Sequence, residues 1–300
     1  MSILVVGSVA LDSVRTPRGE ARDVLGGSAS YFATAARHFA PVAMVAVVGE
    51  DFPAAHRDLF RRLDIDVSGL ETAPGSTFRW AGEYADDFNT RRTLDTRLNV
   101  FAEFRPSLCP AHIGSEFVFL ANIHPQLQAG VLSQVSRPRF TVLDTMNYWI
   151  QGTRESLEDV LRRVDAVLLN DEEARMLTGE THLLRAARAV LELGPSLAVV
   201  KKGEHGAVVV ARDFLFAVPA FPVEEVVDPT GAGDTFAGGF VGALAVSPDP
   251  RAEDALRRAA AYGTVLASFS VESFSLDRLV AATREEIEAR MTALRDLVRF

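Results

Sequence analysis

Between Asp228 and Gly239 the chain reads DPTGAGDTFAGG, directly after Val226 and Val227. The periodicity predicts an apolar helix over Thr235–Ala245. A helix start leaves its first backbone N–H groups without intrahelical partners and carries roughly half a positive charge. Gly231, Ala232 and Gly233 add almost no side chain there, so an anion can approach the backbone closely. The chemistry this suits is phosphate binding, or stabilisation of phosphate-like charge during a reaction. Asp234 beside those groups has two available roles. It can cap the helix, or it can accept a proton from a hydroxyl that attacks a phosphoryl group. A cap needs one aspartate; it does not need the glycine approach and the second aspartate at Asp228.

The elements that must position this turn follow from the pattern of apolar runs. Strands are predicted near Ile3–Val6, Val42–Val48, Phe117–Ala121, Phe140–Leu143, Ala166–Leu169, Leu197–Val200 and Ala207–Val210. Amphipathic helices fall between them, including Ser28–Phe39, Asp51–Leu63, Asp171–Thr178, Arg251–Phe269 and Leu276–Leu297. Strands that are apolar throughout and separated by helices imply a mostly parallel sheet covered on both faces, an α/β layer pattern. Residues Thr77–Phe104 break the alternation with threonines, aromatics and charges at period two. They and a shorter excursion at Ser13–Leu25 predict a small antiparallel β lid inserted into one α/β domain spanning 1–300. Such a lid can cover a site or pair with its own copy.

Composition narrows the function. The 31 basic and 40 acidic side chains give a net charge of −9, which argues against a nucleic-acid or anionic-membrane binder. Cys109 is the single cysteine, so neither an intrachain disulfide nor a Cys-rich zinc site is expected. The opening MSILVVGSVALD has no basic flank and reads as a buried strand rather than a signal peptide, which suits a cytoplasmic protein. No P-loop pattern occurs, and VVGSVA lacks the dinucleotide fingerprint, which lowers an oxidoreductase reading.

The segment DPTGAGDTFAGGF resembles the C-terminal signature of the PfkB, or ribokinase-like, family of sugar and nucleoside kinases. GSVALD and LGGSASYFATAA near the N-terminus are similar to that family's substrate-side segments, with Asp12, Gly26 and Gly27 at the positions that hold sugar hydroxyls and Ser28 beside them. NDEE at Asn170–Glu173 matches an N-x-x-E motif, and KKGEHGA at Lys201–Ala207 matches a loop along the nucleotide phosphates. The resemblance implies a ribokinase-like fold and an ATP-dependent kinase acting on a hydroxyl of a small sugar, cyclitol or nucleoside. Asp234 would be the base and the 231–233 backbone an anion hole. Glu173 would organise Mg²⁺ through water, and a monovalent cation would sit near Asp228. Asn170, Lys201, Lys202, Gly203 and Gly206 would face ATP, with Tyr262 and Ser268 walling the adenine. The β lid would also form a homodimer interface.

Two departures bear on the acceptor. Tyr31 stands where many of these sugar kinases carry an asparagine, and Ala10 replaces another sugar-binding asparagine. Both suit a flatter or more apolar acceptor, a nucleoside or cyclitol; Tyr31 as helix core is equally open. Asn122, Asp144 and Asn147 follow predicted strands, where open α/β sheets present ligand contacts, although each also suits a turn. Arg91, Arg92 and Arg97 either reach a substrate or line a solvated strand face. A non-catalytic nucleotide or metabolite sensor on the same fold is the other class of function. Such a protein has no need of an intact Gly231–Asp234 turn and Glu173.

Overall fold

A computed structural model describes residues 2–299 of the chain. The strands are β1 (Ile3–Val6), β2 (Ala10–Thr16), β3 (Gly19–Gly26), β4 (Val42–Gly49), β5 (Ile65–Ala73), β6 (Phe78–Tyr84), β7 (Arg91–Arg97), β8 (Phe117–Leu120), β9 (Phe140–Asp144), β10 (Ala166–Asn170), β11 (Leu197–Lys201), β12 (Ala207–Ala211) and β13 (Phe214–Val218). Among the described residues they form a nine-stranded sheet, ordered β13-β12-β11-β10-β9-β8-β1-β4-β5, and a separate four-stranded sheet, β3-β2-β6-β7. The large sheet is parallel from β5 across to β11; β12 and β13 join it antiparallel.

Period-two burial explains the layers. Ile3, Val5, Phe117 and Phe119 enter the core on one face of the sheet, while Leu4, Val6, Val118 and Leu120 enter the other. Both faces are covered, so these strands need no polar side, as parallel βαβ connections require. Helices 28–36, 232–245 and 253–270 pack on the first face, and 154–161, 171–178 and 183–191 on the second. This is the ribokinase-like α/β arrangement with a lid that the sequence implies. Helix 232–245 carries Gly238 and Gly239, where a Cβ would lie 2.4 Å from the Phe32 carbonyl and 2.7 Å from that of Tyr262. Interior glycines cost a helix about 1 kcal/mol each relative to alanine. Here they allow this helix to wedge between its two neighbours. The glycines of the signature thus divide into two groups: those at the turn face the cleft, and those inside the helix serve packing.

Several elements differ from expectation. Helix 232–245 starts at Ala232, so Asp234 lies in its first turn rather than ahead of it. The expected helix over 276–297 is two, Asp277–Ala281 and Arg284–Leu297, because Thr283 caps the second with a capping box to Glu286. The β5 and β13 strands were not expected; both lie at sheet edges with half their side chains wet, so neither shows an unbroken apolar run. Pairing in the lid is not wholly antiparallel, since β2 and β6 run parallel. They belong to segments far apart in the chain, so no hairpin sets their direction. Among the described residues, no helix is long and apolar enough to cross a membrane.

Candidate active site

The turn at the centre of the site is held from both sides. Val227 and Asp228 donate their N–H groups to the Val271 carbonyl at 2.8 and 3.2 Å, which ties the turn to the end of helix 253–270. Gly231 caps helix 232–245 with φ 76°, in the left-handed region where glycine alone is unstrained. A Cβ on Gly231 would lie 2.4 Å from the Tyr31 ring, so that ring seals the underside of the turn. The N–H of Ala232 is engaged with the Pro229 carbonyl at 3.2 Å. Among the described residues, no backbone carbonyl accepts from Gly231 or Gly233. Of the three backbone N–H groups expected to line an anion hole, that of Ala232 is thus engaged within the turn itself.

Charged side chains converge on this turn. Lys201, at the end of β11, donates to Asp144 at the end of β9 over 2.8 Å, and both are largely buried. A Cβ on Gly233 would lie 3.2 Å from the Lys201 ammonium, so that charge sits directly against the helix start. Burial alone would lower the Lys201 pKa, but Asp144 and Glu173 override it and hold the lysine charged above its ordinary value. Asp234 is pushed up to about 7, first by burial and then by the Asp144 charge, against the pull of Lys201 and Arg91. A carboxyl poised there suits proton transfer near neutral pH. Glu173 also rises to about 7, mainly by burial, with Lys201 opposing.

On β2, Asp12 reaches about 7 through burial and the Asp228 charge, while the Gly27 N–H opposes. A Cβ on Gly26 would collide with the Asp12 carboxyl at 1.9 Å, which explains glycine at that position. Tyr31 is buried, and its phenol is driven well above its ordinary pKa by burial and by the Asp228 and Asp12 charges. It remains a neutral hydroxyl and supplies both packing and a polar tip. Ser28 is drawn away from the cleft, since its hydroxyl accepts from the Ser8 N–H at 3.2 Å and pins the loop after β1.

The strand-end residues divide. Asp144 joins the cluster through Lys201. Asn122 accepts from the Trp149 indole at 2.8 Å, orienting that ring. Asn147 is exposed and accepts from the next N–H, at Tyr148, at 2.8 Å; it is a turn residue and does not converge with the rest.

After β10, Asn170 and Glu173 form a reciprocal capping box, with bonds of 2.8 Å and 2.7 Å. The N-x-x-E spacing therefore fixes the start of helix 171–178 and holds Glu173 beside Lys201 in one device. Gly203 is exposed, and Lys202 is half-buried with its N–H on the Gly206 carbonyl at 2.7 Å. Gly206 has the Val218 carbonyl 2.0 Å from where a Cβ would stand, so it serves the turn into β12. Tyr262 and Ser268 depart from expectation. Tyr262 is core: its ring packs edge-on to Phe39 and its hydroxyl donates to Glu288 at 2.8 Å. Ser268 is buried, donating to the Val265 carbonyl at 2.6 Å and accepting from Arg290 at 2.7 Å. Neither side chain walls an open adenine pocket; both tie helix 253–270 to helix 284–297.

Two features of the site were not anticipated. Asp228 receives the Thr230 N–H on Oδ1 at 2.9 Å, while its buried Oδ2 makes no close hydrogen bond among the described residues, with the Ser275 N–H acting on the carboxyl. Burial raises its pKa. The lid also reaches the turn: Thr230 donates to the Tyr84 hydroxyl at 3.2 Å, across 146 residues of sequence. No local pattern signals that contact, because Tyr84 reads as one more aromatic in an alternating strand.

Residues 115–280 match the pfkB family carbohydrate kinase pattern. The chain is 32% identical over 247 residues to the cytidine kinase of Thermococcus kodakarensis, covering 80% of this chain and 87% of that one. It superposes on the nucleoside kinase of Methanocaldococcus jannaschii with a TM-score of 0.78 at 20% identity, covering 97% of this chain and 98% of the other. A nucleoside kinase of Burkholderia thailandensis, solved in complex with inosine, gives a TM-score of 0.76 at 19% identity over 97% of this chain and 98% of the other. The chain belongs to the pfkB family of carbohydrate kinases, phosphotransferases that act on a hydroxyl group.

Proposed function

We propose that this kinase transfers the γ-phosphoryl group of ATP to a sugar hydroxyl of a nucleoside, with cytidine the first candidate, and with Asp234 as general base. The observation that carries the mechanism is the Asp234 carboxyl, with its pKa raised to about 7, on a helix start that also holds the Lys201 ammonium. The kinship with a cytidine kinase supports the acceptor class. The tyrosine at position 31 suits a nucleoside better than an open-chain polyol.

In this reading, Asp12 and the Gly26–Gly27 backbone hold the acceptor. Asp234 takes the acceptor's proton as its oxygen bonds to the γ-phosphorus. The Gly231 and Gly233 N–H groups and Lys201 face the charge that develops, in the manner of an oxyanion hole. Asp144 keeps the lysine ammonium aimed at the turn.

Glu173 and Asp144 offer carboxylate oxygens of the kind magnesium takes. Among the described residues, no cluster of three or more His, Cys, Asp or Glu side chains is built to hold a metal unaided, which fits an ion bound largely through water and phosphate. Mg²⁺ supplies charge neutralisation at the ATP phosphates when bound. The buried Asp228 carboxyl, whose Oδ2 makes no close hydrogen bond among the described residues, supports a monovalent cation beside the turn. The β7 strand, exposed along its length, supports a homodimer through the lid. A cytoplasmic kinase with one α/β domain and its lid completes the reading.

ADP release with MgATP over cytidine, inosine, ribose and a cyclitol tests the acceptor. A nucleoside should turn over at least about tenfold faster than free ribose, since the buried polar groups of a hydrogen-bonding site penalise an acceptor that leaves them unpaired. Turnover confined to free sugars would overturn the nucleoside assignment.

A further inference from the structure

The arginines of the lid are not equivalent. Four lie on β6 and β7: Arg79, Arg91, Arg92 and Arg97. Arg79 pairs with Asp51 at 2.9 Å, Arg92 with Glu83 at 2.6 Å and Arg97 with Asp95 at 2.7 Å. Arg91 has no ion-pair partner among the described residues, although the protein carries an excess of acidic side chains. Its guanidinium lies 5.6 Å over the Trp80 ring, a contact that orients a cation without neutralising it.

Arg91 is also at the end of the lid that meets the active site. It stands directly across from Tyr84 in the β6–β7 register, and directly opposed residues share a face of the sheet. The Tyr84 hydroxyl takes the Thr230 hydroxyl at 3.2 Å, one residue before Gly231. Two residues before Arg91, Asn89 donates to Glu204 at 3.0 Å, crossing to the loop that follows β11. The lid end is thus clasped to the turn on one side and to the nucleotide loop on the other. Arg91 follows both contacts closely, two residues after Asn89 and across the β6–β7 pair from Tyr84. Its charge acts on both Asp234 and Glu173.

We propose that Arg91 is the cation the lid contributes to the reaction, its guanidinium neutralising charge on the phosphoryl group in flight when the lid is clasped. This rests on the kinase reading above and adds to it a residue from outside the signature. In the transfer, the acceptor oxygen bonds to the γ-phosphorus and the bond to the β–γ bridging oxygen breaks. Asp234 receives the acceptor's proton and ADP leaves with the electron pair. Arg91 forms no covalent bond and keeps its protons. Because it rides on the lid, full transition-state stabilisation requires the Asn89–Glu204 and Thr230–Tyr84 contacts. A bound nucleotide is therefore protected from water attack while the lid stands open.

ADP with aluminium fluoride mimics the planar phosphoryl group and needs no known acceptor. Titration of aluminium fluoride against the magnesium–ADP complex of the full chain tests the proposal. Arg91→Gln should weaken fluoride capture by about tenfold or more while ADP affinity stays within about twofold, the signature of an interaction made only in the transition state. Arg91→Lys should also lose capture, because a point charge replaces a fork. Arg92→Gln, whose parent side chain is already paired with Glu83, should match wild type. Unchanged capture by Arg91→Gln, or an equal loss of ADP affinity, would overturn the role of Arg91 and leave the kinase reading intact. Failure of the wild-type protein to capture aluminium fluoride at all would overturn both.

Discussion

The turn at 228–234 and the lid hold charges in opposite ways. Around the turn, Asp12, Asp144, Glu173, Lys201 and Asp228 are buried or nearly so, and burial pushes Asp12 and Glu173 up to about 7. On the lid, β7 is exposed at every residue, and Arg92 and Arg97 sit in exposed ion pairs. Exposed pairs of this kind contribute about 0–1 kcal/mol, and solvent replaces them readily. The body's carboxyls are packed into the sheet, and so is Asp12 on the buried strand β2 of the lid, whereas the β7 edge of the lid is solvated. The difference assigns the work. In the proposed mechanism the buried groups around the turn supply the fixed charges, and the exposed β7 edge supplies the Arg91 guanidinium.

Each side of that contrast can be broken separately. The largest effect should come from Gly231→Ala, which puts a side chain into the Tyr31 ring at a left-handed residue. A loss of about 2–4 kcal/mol in denaturant unfolding is expected, together with loss of activity. A stable, active variant would mean that the turn is not rigid. Glu173→Gln comes next and separates two roles of one residue. Glutamine still serves a capping box, so the melting temperature should hold or rise slightly, while turnover falls about 10–100-fold and the magnesium requirement increases. If stability and turnover fell together, capping alone would explain Glu173. Arg79→Ala, which cuts the lid's tie to Asp51 and a pair with Asp23 inside the lid, should cost less than about 1 kcal/mol and leave turnover within a few-fold. A larger loss would mean that the lid is as fixed as the body.

The same contrast governs what could be read from the sequence. Body strands such as Phe117–Leu120 and Leu197–Val200 are legible because burial on both faces demands unbroken apolar runs. Asp234 and Glu173 lie in local motifs whose spacing has a mechanical cause, a helix start and a capping box, whereas Lys201 is singled out only by the resemblance of KKGEHGA. The Lys201–Asp144 pair spans 57 residues and the Tyr84–Thr230 contact spans 146, so neither leaves a mark in any window of sequence. Arg91 was indistinguishable from Arg92 until the register put one opposite Tyr84 and gave the other Glu83. Tyr262 and Ser268 were misjudged for the opposite reason. A mostly apolar helix near a site resembles a pocket wall, and only tertiary packing reveals that their polar tips point at Glu288 and Arg290.

The central claim is that Asp234 is a strained carboxyl kept for proton transfer. Its pKa in the folded chain, about 7, lies above the ordinary 3.8. The folded state therefore binds the extra proton between those values, and stability falls as pH rises from about 4 to 7. Asp234→Asn should relieve that cost, so at pH 8 the variant should melt a few degrees higher than wild type, and the gain should vanish below about pH 4. The most direct measurement pairs that melting curve with kcat for MgATP and cytidine at pH 8. The account predicts a protein that is at least as stable, binds ADP normally and has lost about 10³-fold in kcat. An Asp234→Asn enzyme within tenfold of wild-type kcat would contradict it.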